Sequence, residues 1–286
     1  MKGIILAGGS GTRLLPMTAV ISKQLLPIYD KPMIFYPLST LMLAGIRDVL
    51  IISTPEDTHR FEKLFGDGQR WGMSIKYAVQ PTPEGIAQAF IIGEDFIGQS
   101  PCALILGDNL FFGNDLQAHL KSAAETIDGA ILFGYSVKDP CRYGVAEFDE
   151  NRDIIGIEEK PSHPKSNIAI TGLYFYDNTV VEIAKSIEPS ARGELEISAV
   201  NNVYLDNKKV RLTEFGRGMA WLDAGTPDSL MEAGEYVKVL QNRQGLVMAC
   251  PEEIAWRNSW ISRDQLKFLA NQYGNSQFRS YLLALR

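Results

Sequence analysis

The chemistry-bearing residues begin just after a short apolar run at the start of the chain, with Gly8-Gly9-Ser10-Gly11-Thr12-Arg13. Clustered glycines let backbone N–H groups face phosphate oxygens with no Cβ in the way. The Gly-Lys-Ser/Thr of a P-loop does not follow, and Gly9-x-Gly11-x-x-Leu14 lacks the third glycine of the dinucleotide fingerprint. Instead Arg13 is followed ten residues on by Lys23, within Ser22-Lys23-Gln24-Leu25-Leu26-Pro27. A guanidinium and an ammonium converging on a glycine loop suit a triphosphate, because both neutralise charge on a leaving pyrophosphate. The same glycines would equally serve a tight turn with close packing, and Lys23 taken alone is an ordinary solvated lysine.

Two aspartates stand at the ends of apolar runs. Asp108 follows Cys102-Ala103-Leu104-Ile105-Leu106-Gly107, and Asp223 sits in Trp221-Leu222-Asp223-Ala224-Gly225-Thr226. An aspartate at the carboxyl end of a buried strand lies where open α/β sheets bind their ligands, although a helix cap would use the same residue type. Two carboxylates meeting near phosphates are what Mg²⁺ requires, since this hard ion is held by one or two carboxylates plus substrate phosphate. His59, His119 and His163 have no His or Cys partner at metal-ligand spacing, which disfavours zinc. No Gly-x-Ser-x-Gly elbow marks a serine hydrolase.

The elements that must position these groups follow from hydrophobic pattern. Short β-branched runs at 3–7, 48–53, 74–79, 103–106 and 130–137 read as strands buried on both faces. Between them, Ile34, Leu38, Leu41 and Met42 form one helical stripe after Pro32, and 85–96 and 116–127 are further helices. The alternation predicts an α/β fold with a mostly parallel sheet covered by helices. Beyond Gly144 the rhythm changes to strands at 145–148, 154–158 and 170–176, an antiparallel extension with a hairpin turn at 149–152. Tyr174, Phe175 and Tyr176 read as core packing. Helices at 229–241, 251–256 and 264–272 complete a helical tail.

The chain of 286 residues has 45% hydrophobic and 22% charged residues, the pattern of an ordinary globular protein rather than of disorder or coiled coil. Lys and Arg total 28 against 34 Asp and Glu, a formal charge of -6, which disfavours nonspecific contact with nucleic acid or anionic membranes. Cys102, Cys141 and Cys250 are widely spaced and odd in number, so they build neither a disulfide framework nor a metal cluster. No apolar run reaches transmembrane length, and the N-terminal stretch is too short for a signal peptide. A cytoplasmic location is expected.

Taken together, the glycine loop with Arg13, the Lys23 segment, Gln80-Pro81, Gly107-Asp108-Asn109, Tyr143-Gly144-Val145, Glu158-Glu159-Lys160-Pro161 and Trp221-Leu222-Asp223 resemble the sugar-nucleotidyltransferase family from Lys2 to about Glu253. The resemblance implies a Rossmann-like mixed sheet of glycosyltransferase-A type, Mg²⁺ dependence, and a homotetramer. It implies thymidylyl transfer from dTTP to glucose 1-phosphate, the first step of deoxysugar biosynthesis. The alternatives are a uridylyltransferase and a nucleotide-sensing protein of the same fold that does not react.

Carried over by position, the resemblance makes Arg13, Lys23, Asp108 and Asp223 catalytic, with the two aspartates on the metal. Gly8, Gly11, Thr12, Gln24, Gln80 and Gly85 join Arg13, Lys23 and Asp108 around the nucleotide. Asn109, Tyr143, Gly144, Glu159, Lys160 and Thr171 would receive the sugar phosphate. A regulatory nucleotide site would involve Arg217 and Glu253. Residues 1–286 would form a single domain, with a nucleotide-binding part (1–140), a sugar-binding part (141–226) and a helical tail (227–286) for oligomer contacts. Ala224 departs from the threonine expected after Trp-Leu-Asp, and the tail after Trp256 matches no part of the motif set.

Overall fold

The computed structural model describes every residue except Ser10 and Thr126. Ser10 of the glycine loop and Thr126 of the helix expected over 116–127 therefore lie outside the described residues. The first half contains β1 (Lys2–Ala7), β2 (Pro27–Ile28), β3 (Lys31–Pro32), α1 (Phe35–Leu43), β4 (Asp48–Ser53), α2 (Thr58–Phe65), β5 (Ser74–Val79), α3 (Gln88–Ile92), α4 (Glu94–Ile97), β6 (Cys102–Leu106), β7 (Asn109–Phe112), α5 (Leu116–Glu125) and β8 (Ala130–Ser136). There follow β9 (Gly144–Phe148), β10 (Ile154–Glu159), β11 (Ile168–Tyr176), α6 (Val180–Ser186), α7 (Ile197–Asp206), β12 (Val210–Phe215) and β13 (Ala220–Asp223). Helices α8 (Pro227–Gln244), α9 (Pro251–Arg257), α10 (Arg263–Asn271) and α11 (Gln277–Ala284) close the chain.

The central sheet runs β10-β9-β11-β6-β1-β4-β5, and β8 and β12 extend it from the other edge of β11. Strands β5, β4, β1 and β6 are parallel, as their runs of apolar residues predict. Adjacent residues Ile4 and Ile5 of β1 are both fully buried yet enter different cores on opposite faces of the sheet. The order places β1 between β4 and β6, so the chain's direction of winding reverses beside β1 and opens a crevice at the carboxyl ends of β1 and β6.

The antiparallel part sharpens this crevice. Strand β11 pairs with β6 through Leu173–Tyr176 and with β9 at Ala169, both on one edge, while β8 occupies the other edge. Between these contacts, β6 and β9 part around Ile170 to Gly172, and the opening becomes the floor of the main cavity. The hairpin turn at 149–152 is present, with Asp149 accepting from the N–H groups of Asn151 and Asp153 at 2.9 and 2.8 Å. The single helix expected over 85–96 is instead two short helices, α3 and α4, parted at Gly93. The expectation failed there because a Cβ at Gly93 would press against Ile4 and Leu50, so the sheet selects glycine where helix propensity argues against it.

Helix α8 starts immediately behind Asp223. Thr226 caps it reciprocally with Ser229: the Thr226 hydroxyl accepts from the Ser229 N–H at 3.3 Å, and the Thr226 N–H donates to Ser229 Oγ at 3.0 Å. Pro227 occupies the first turn, where a missing N–H is harmless. Thr226→Ala is expected to cost about 1 kcal/mol of stability, the usual value of an N-cap. Equilibrium denaturant unfolding measures it, and Thr226→Ser should restore most of the loss.

Candidate active site

The cavity at the carboxyl ends of β1 and β6 has a volume of about 520 Å³, within the range of small-molecule sites. At one end, Lys23 rises from a single helical turn, Lys23–Leu25, held by packing of Gln24 against Gly107. Gln24 is buried, and its Oε1 accepts from the Ser22 hydroxyl at 2.5 Å. The Lys23 ammonium pairs directly with Asp108. Burial pushes the Asp108 carboxyl up, but the Lys23 charge and the hydrogen bonds from Lys23 and Asn109 outweigh it and hold the group below the ordinary aspartate value.

A nonlocal pairing brings in the second aspartate. Strand β7 begins one residue after Asp108 and pairs antiparallel with β13, setting Asp223 opposite Asn109. The Ala224 N–H donates to the Asp108 carbonyl at 3.1 Å, so the turn in which alanine replaces the expected threonine is closed on Asp108 itself. Asp223 and Asp108 therefore share one end of the cavity. Burial, followed by repulsion from Asp108, raises the Asp223 carboxyl above its usual value, against the opposing pull of Lys23, Arg13 and Arg142. Arg13 lies over Gly225 beside the Asp223 carboxylate, where an added Cβ would meet Arg13 Nη2 at 3.1 Å and Asp223 Oδ1 at 3.0 Å.

Asn109 organises the middle. Its Oδ1 accepts from Trp221 Nε1 at 2.6 Å and from the Gly172 N–H at 3.2 Å, while its Nδ2 donates to Asp108 Oδ1 at 3.0 Å. Tyr143, with its ring against Trp221, also lines the cavity, as do Gly144, Glu159 and Lys160. Burial is the main cause of a raised Glu159 carboxyl, offset by Lys160.

The residues expected around a nucleotide divide. Gly8 lines the cavity, whereas Gln80 is not among its lining residues and packs against Gly8 so closely that an added Cβ would collide with Gln80 Oε1. The Gln80 amide is buried and oriented by donation to Gln88 Oε1 at 2.6 Å. Gly11 lies off the main cavity against Thr18, whose hydroxyl donates to the Gly11 carbonyl at 2.8 Å, and Thr12 opens the short helical turn that carries Arg13. Gly85 also lies off the cavity. At φ +108° it passes within contact of the Leu195 backbone, and its neighbour Ile86 reaches the wall instead. Thr171 is fully buried, does not line the cavity, and its Oγ1 has no hydrogen-bond partner among the described residues.

Sequence reasoning missed Arg142, whose Nη2 approaches Asp223 Oδ2 at 3.7 Å, and missed Ser198 and Asn201 of α7, which also line the cavity. A signal existed for each: Arg142 directly precedes the recognised Tyr143-Gly144 pair, and Ile197, Val200 and Tyr204 recur at helical spacing. Glu253 lines a second cavity of about 500 Å³ between α1 and α9, whereas Arg217 lies on the turn between β12 and β13 and is not among its lining residues.

The donor set suits a hard divalent ion. Two carboxylates supply only oxygen, one is held ionised by Lys23, and the other carries charge that its surroundings oppose. The described residues contain no cluster of three or more metal-ligating side chains, so phosphate oxygens would complete the shell. No helix among the described residues is long and apolar enough to cross a membrane.

Comparison with known proteins agrees with this geometry. The family model described as nucleotidyl transferase matches residues 2–239. The chain is 59% identical to a glucose-1-phosphate thymidylyltransferase of Neisseria meningitidis, with 100% of this chain and 99% of the relative covered. It is 53% identical to the enzyme of the same name from Mycobacterium tuberculosis, at the same coverage. A solved structure of a UDP-glucose pyrophosphorylase complexed with UDP-glucose superposes with a TM-score of 0.73 at 26% identity, covering 84% of this chain and 98% of the other. Full-length relatives extend through the tail after Trp256, which the motifs alone left unmatched.

Proposed function

Because the chain belongs to the nucleotidyl transferase family, we propose that it transfers the thymidylyl group of dTTP to glucose 1-phosphate, forming dTDP-glucose and pyrophosphate. The carrying observation is the β7–β13 register, which sets Asp223 beside Asp108, Lys23 and Arg13 at one end of a cavity whose other end presents Glu159 and Lys160. That is an anion-handling end facing a hydroxyl-binding end, as a nucleoside triphosphate and a sugar phosphate require. The family's enzymes generally use a divalent metal, and Mg²⁺ is the ion this reading assigns.

The attacking group is a phosphate oxygen of glucose 1-phosphate, already an anion, so no residue need remove a proton. It attacks the α-phosphorus in line, and the bond to the bridging oxygen of pyrophosphate breaks on the opposite side. Lys23 holds the α-phosphate oxygens, and Arg13 takes up charge growing on the leaving pyrophosphate. Gln80 offers an amide donor and acceptor to the thymine edge, and Glu159 accepts from sugar hydroxyls. Glu159 needs its ionised form for this, and Lys160 beside it favours that form while approaching the sugar phosphate. Bound at Asp108 and Asp223, Mg²⁺ would supply further neutralisation of phosphate charge.

The uridylyltransferase and the non-reacting sensor are not favoured, since relatives over the full chain carry the name glucose-1-phosphate thymidylyltransferase. The test is pyrophosphate release from glucose 1-phosphate with dTTP or UTP. Turnover with dTTP is expected, with kcat/KM for UTP lower by roughly 10-fold or more for the missing methyl. Turnover with neither nucleotide would overturn the reading. A homotetramer, a cytoplasmic setting, an end-product site at a subunit contact with Arg217 and Glu253, and the three-part division of the domain belong to this same reading. The exposed Met231 and Val239 of α8 supply apolar surface for the assembly.

A further inference from the structure

Strand β10 is the outer strand of the sheet, with β9 on one side only. Its pairs Glu158↔Val145 and Glu159↔Gly144 use that inner side. On the outer side, the N–H and carbonyl of Ile157 have no strand to bond, the usual state of an edge. Asn202 of α7 occupies that place. Its Oδ1 accepts from the Ile157 N–H at 3.1 Å, and its Nδ2 donates to the Ile157 carbonyl at 2.9 Å. A side-chain amide thus replaces one peptide group of a missing strand. The two elements it joins form facing walls of the cavity: Glu159 lies two residues after Ile157, and Ser198 lies one helical turn before Asn202.

We propose that Asn202 is a positioning residue for the sugar phosphate, locking β10 to α7 so that Glu159 is held at a fixed distance from the α7 wall. It does not line the cavity itself. The inference rests on the proposed sugar-phosphate role of this end of the cavity. A carboxylate that must meet two hydroxyls loses most of its value when displaced by a fraction of an ångström. The Lys23 end is built from different elements and is untouched by the amide.

Two variants test it. Asn202→Leu keeps the size and removes both hydrogen bonds, whereas Asn202→Asp keeps an acceptor for the Ile157 N–H. In both, KM for glucose 1-phosphate is expected to rise, by roughly 10-fold in Asn202→Leu and less in Asn202→Asp, with KM for dTTP within about twofold of wild type. Unchanged KM for glucose 1-phosphate in both variants, or an equal rise for both substrates, would overturn it. Hydrogen exchange over residues 154–159, with and without glucose 1-phosphate, reads the lock without turnover. Protection by the sugar phosphate in wild type that is lost in Asn202→Leu supports the inference, and equal behaviour of the two proteins overturns it. A wild type that binds but releases no pyrophosphate would sink the proposed reaction alone.

Discussion

Lys23→Ala is expected to lower kcat by about 10²- to 10³-fold, the usual cost of removing one preorganised donor from a developing charge. KM for dTTP should change far less, because the other phosphate contacts survive. The same substitution has a second consequence. The ammonium is the partner that keeps the buried Asp108 ionised, and removing one member of a buried pair typically costs roughly 3 kcal/mol. Lys23→Arg separates the two effects: it restores a cation to Asp108 and most of the stability, but a larger planar guanidinium cannot reproduce the placement of a compact ammonium. Steady-state kinetics and denaturant unfolding on both variants check this. A Lys23→Ala enzyme with wild-type turnover would remove the residue from the mechanism.

The parts of the fold legible in the sequence are those whose burial is local and two-sided. Strands β4 and β5 coincide with the apolar runs at 48–53 and 74–79, and β1 and β6 exceed their expected runs by one residue. The elements with no counterpart in the sequence reading include α2, α6, α7, α11, β2, β3, β7 and β12. In α7, Asn201 and Asn202 break the apolar stripe, and both are there for tertiary reasons: Asn201 accepts from the Tyr176 hydroxyl at 2.5 Å, and Asn202 bonds Ile157. Propensity is silent about such contacts. Strand β12 has the alternation of a strand in Val-Arg-Leu-Thr-Glu-Phe, but it forms by parallel pairing with the distant β8.

The site divides in the same way. The residue types around the glycine loop, and the emergence of Asp108 from a buried strand, follow from the order of residues. The meeting of Asp108 with Asp223 does not, because it depends on the register of β7 against β13, set by Trp221 opposite Phe111 and Leu222 opposite Leu110. Thr171 shows the opposite case. Carried over by position as a sugar contact, it is enclosed in β11, and the residues of that strand facing the cavity are Ile170, Gly172 and Tyr174.

Asp223→Asn is expected to abolish most activity and at the same time raise the stability of the metal-free protein. Burial and the adjacent Asp108 raise the carboxyl of Asp223 above its unfolded value. A group shifted upward favours the folded state most where it is protonated, so the contribution present below the unfolded value is lost as pH rises through the folded one. At neutral pH the ionised Asp223 therefore opposes folding, and an amide, neutral at every pH, relieves both burial of charge and repulsion. A gain of about 1 kcal/mol corresponds to a Tm higher by about 2 °C in a chain of this size. The difference between variant and wild type should shrink as pH falls from neutral through the raised carboxyl value. Mg²⁺ with dTTP should then raise the Tm of wild type more than that of Asp223→Asn, because the carboxylate pair whose repulsion opposes folding is the pair proposed to hold the ion. Thermal unfolding at two pH values, with and without Mg²⁺ and dTTP, resolves each part. An Asn variant less stable than wild type at neutral pH would mean that Arg13 and Arg142 already compensate the charge, and that the site is not strained toward a cation.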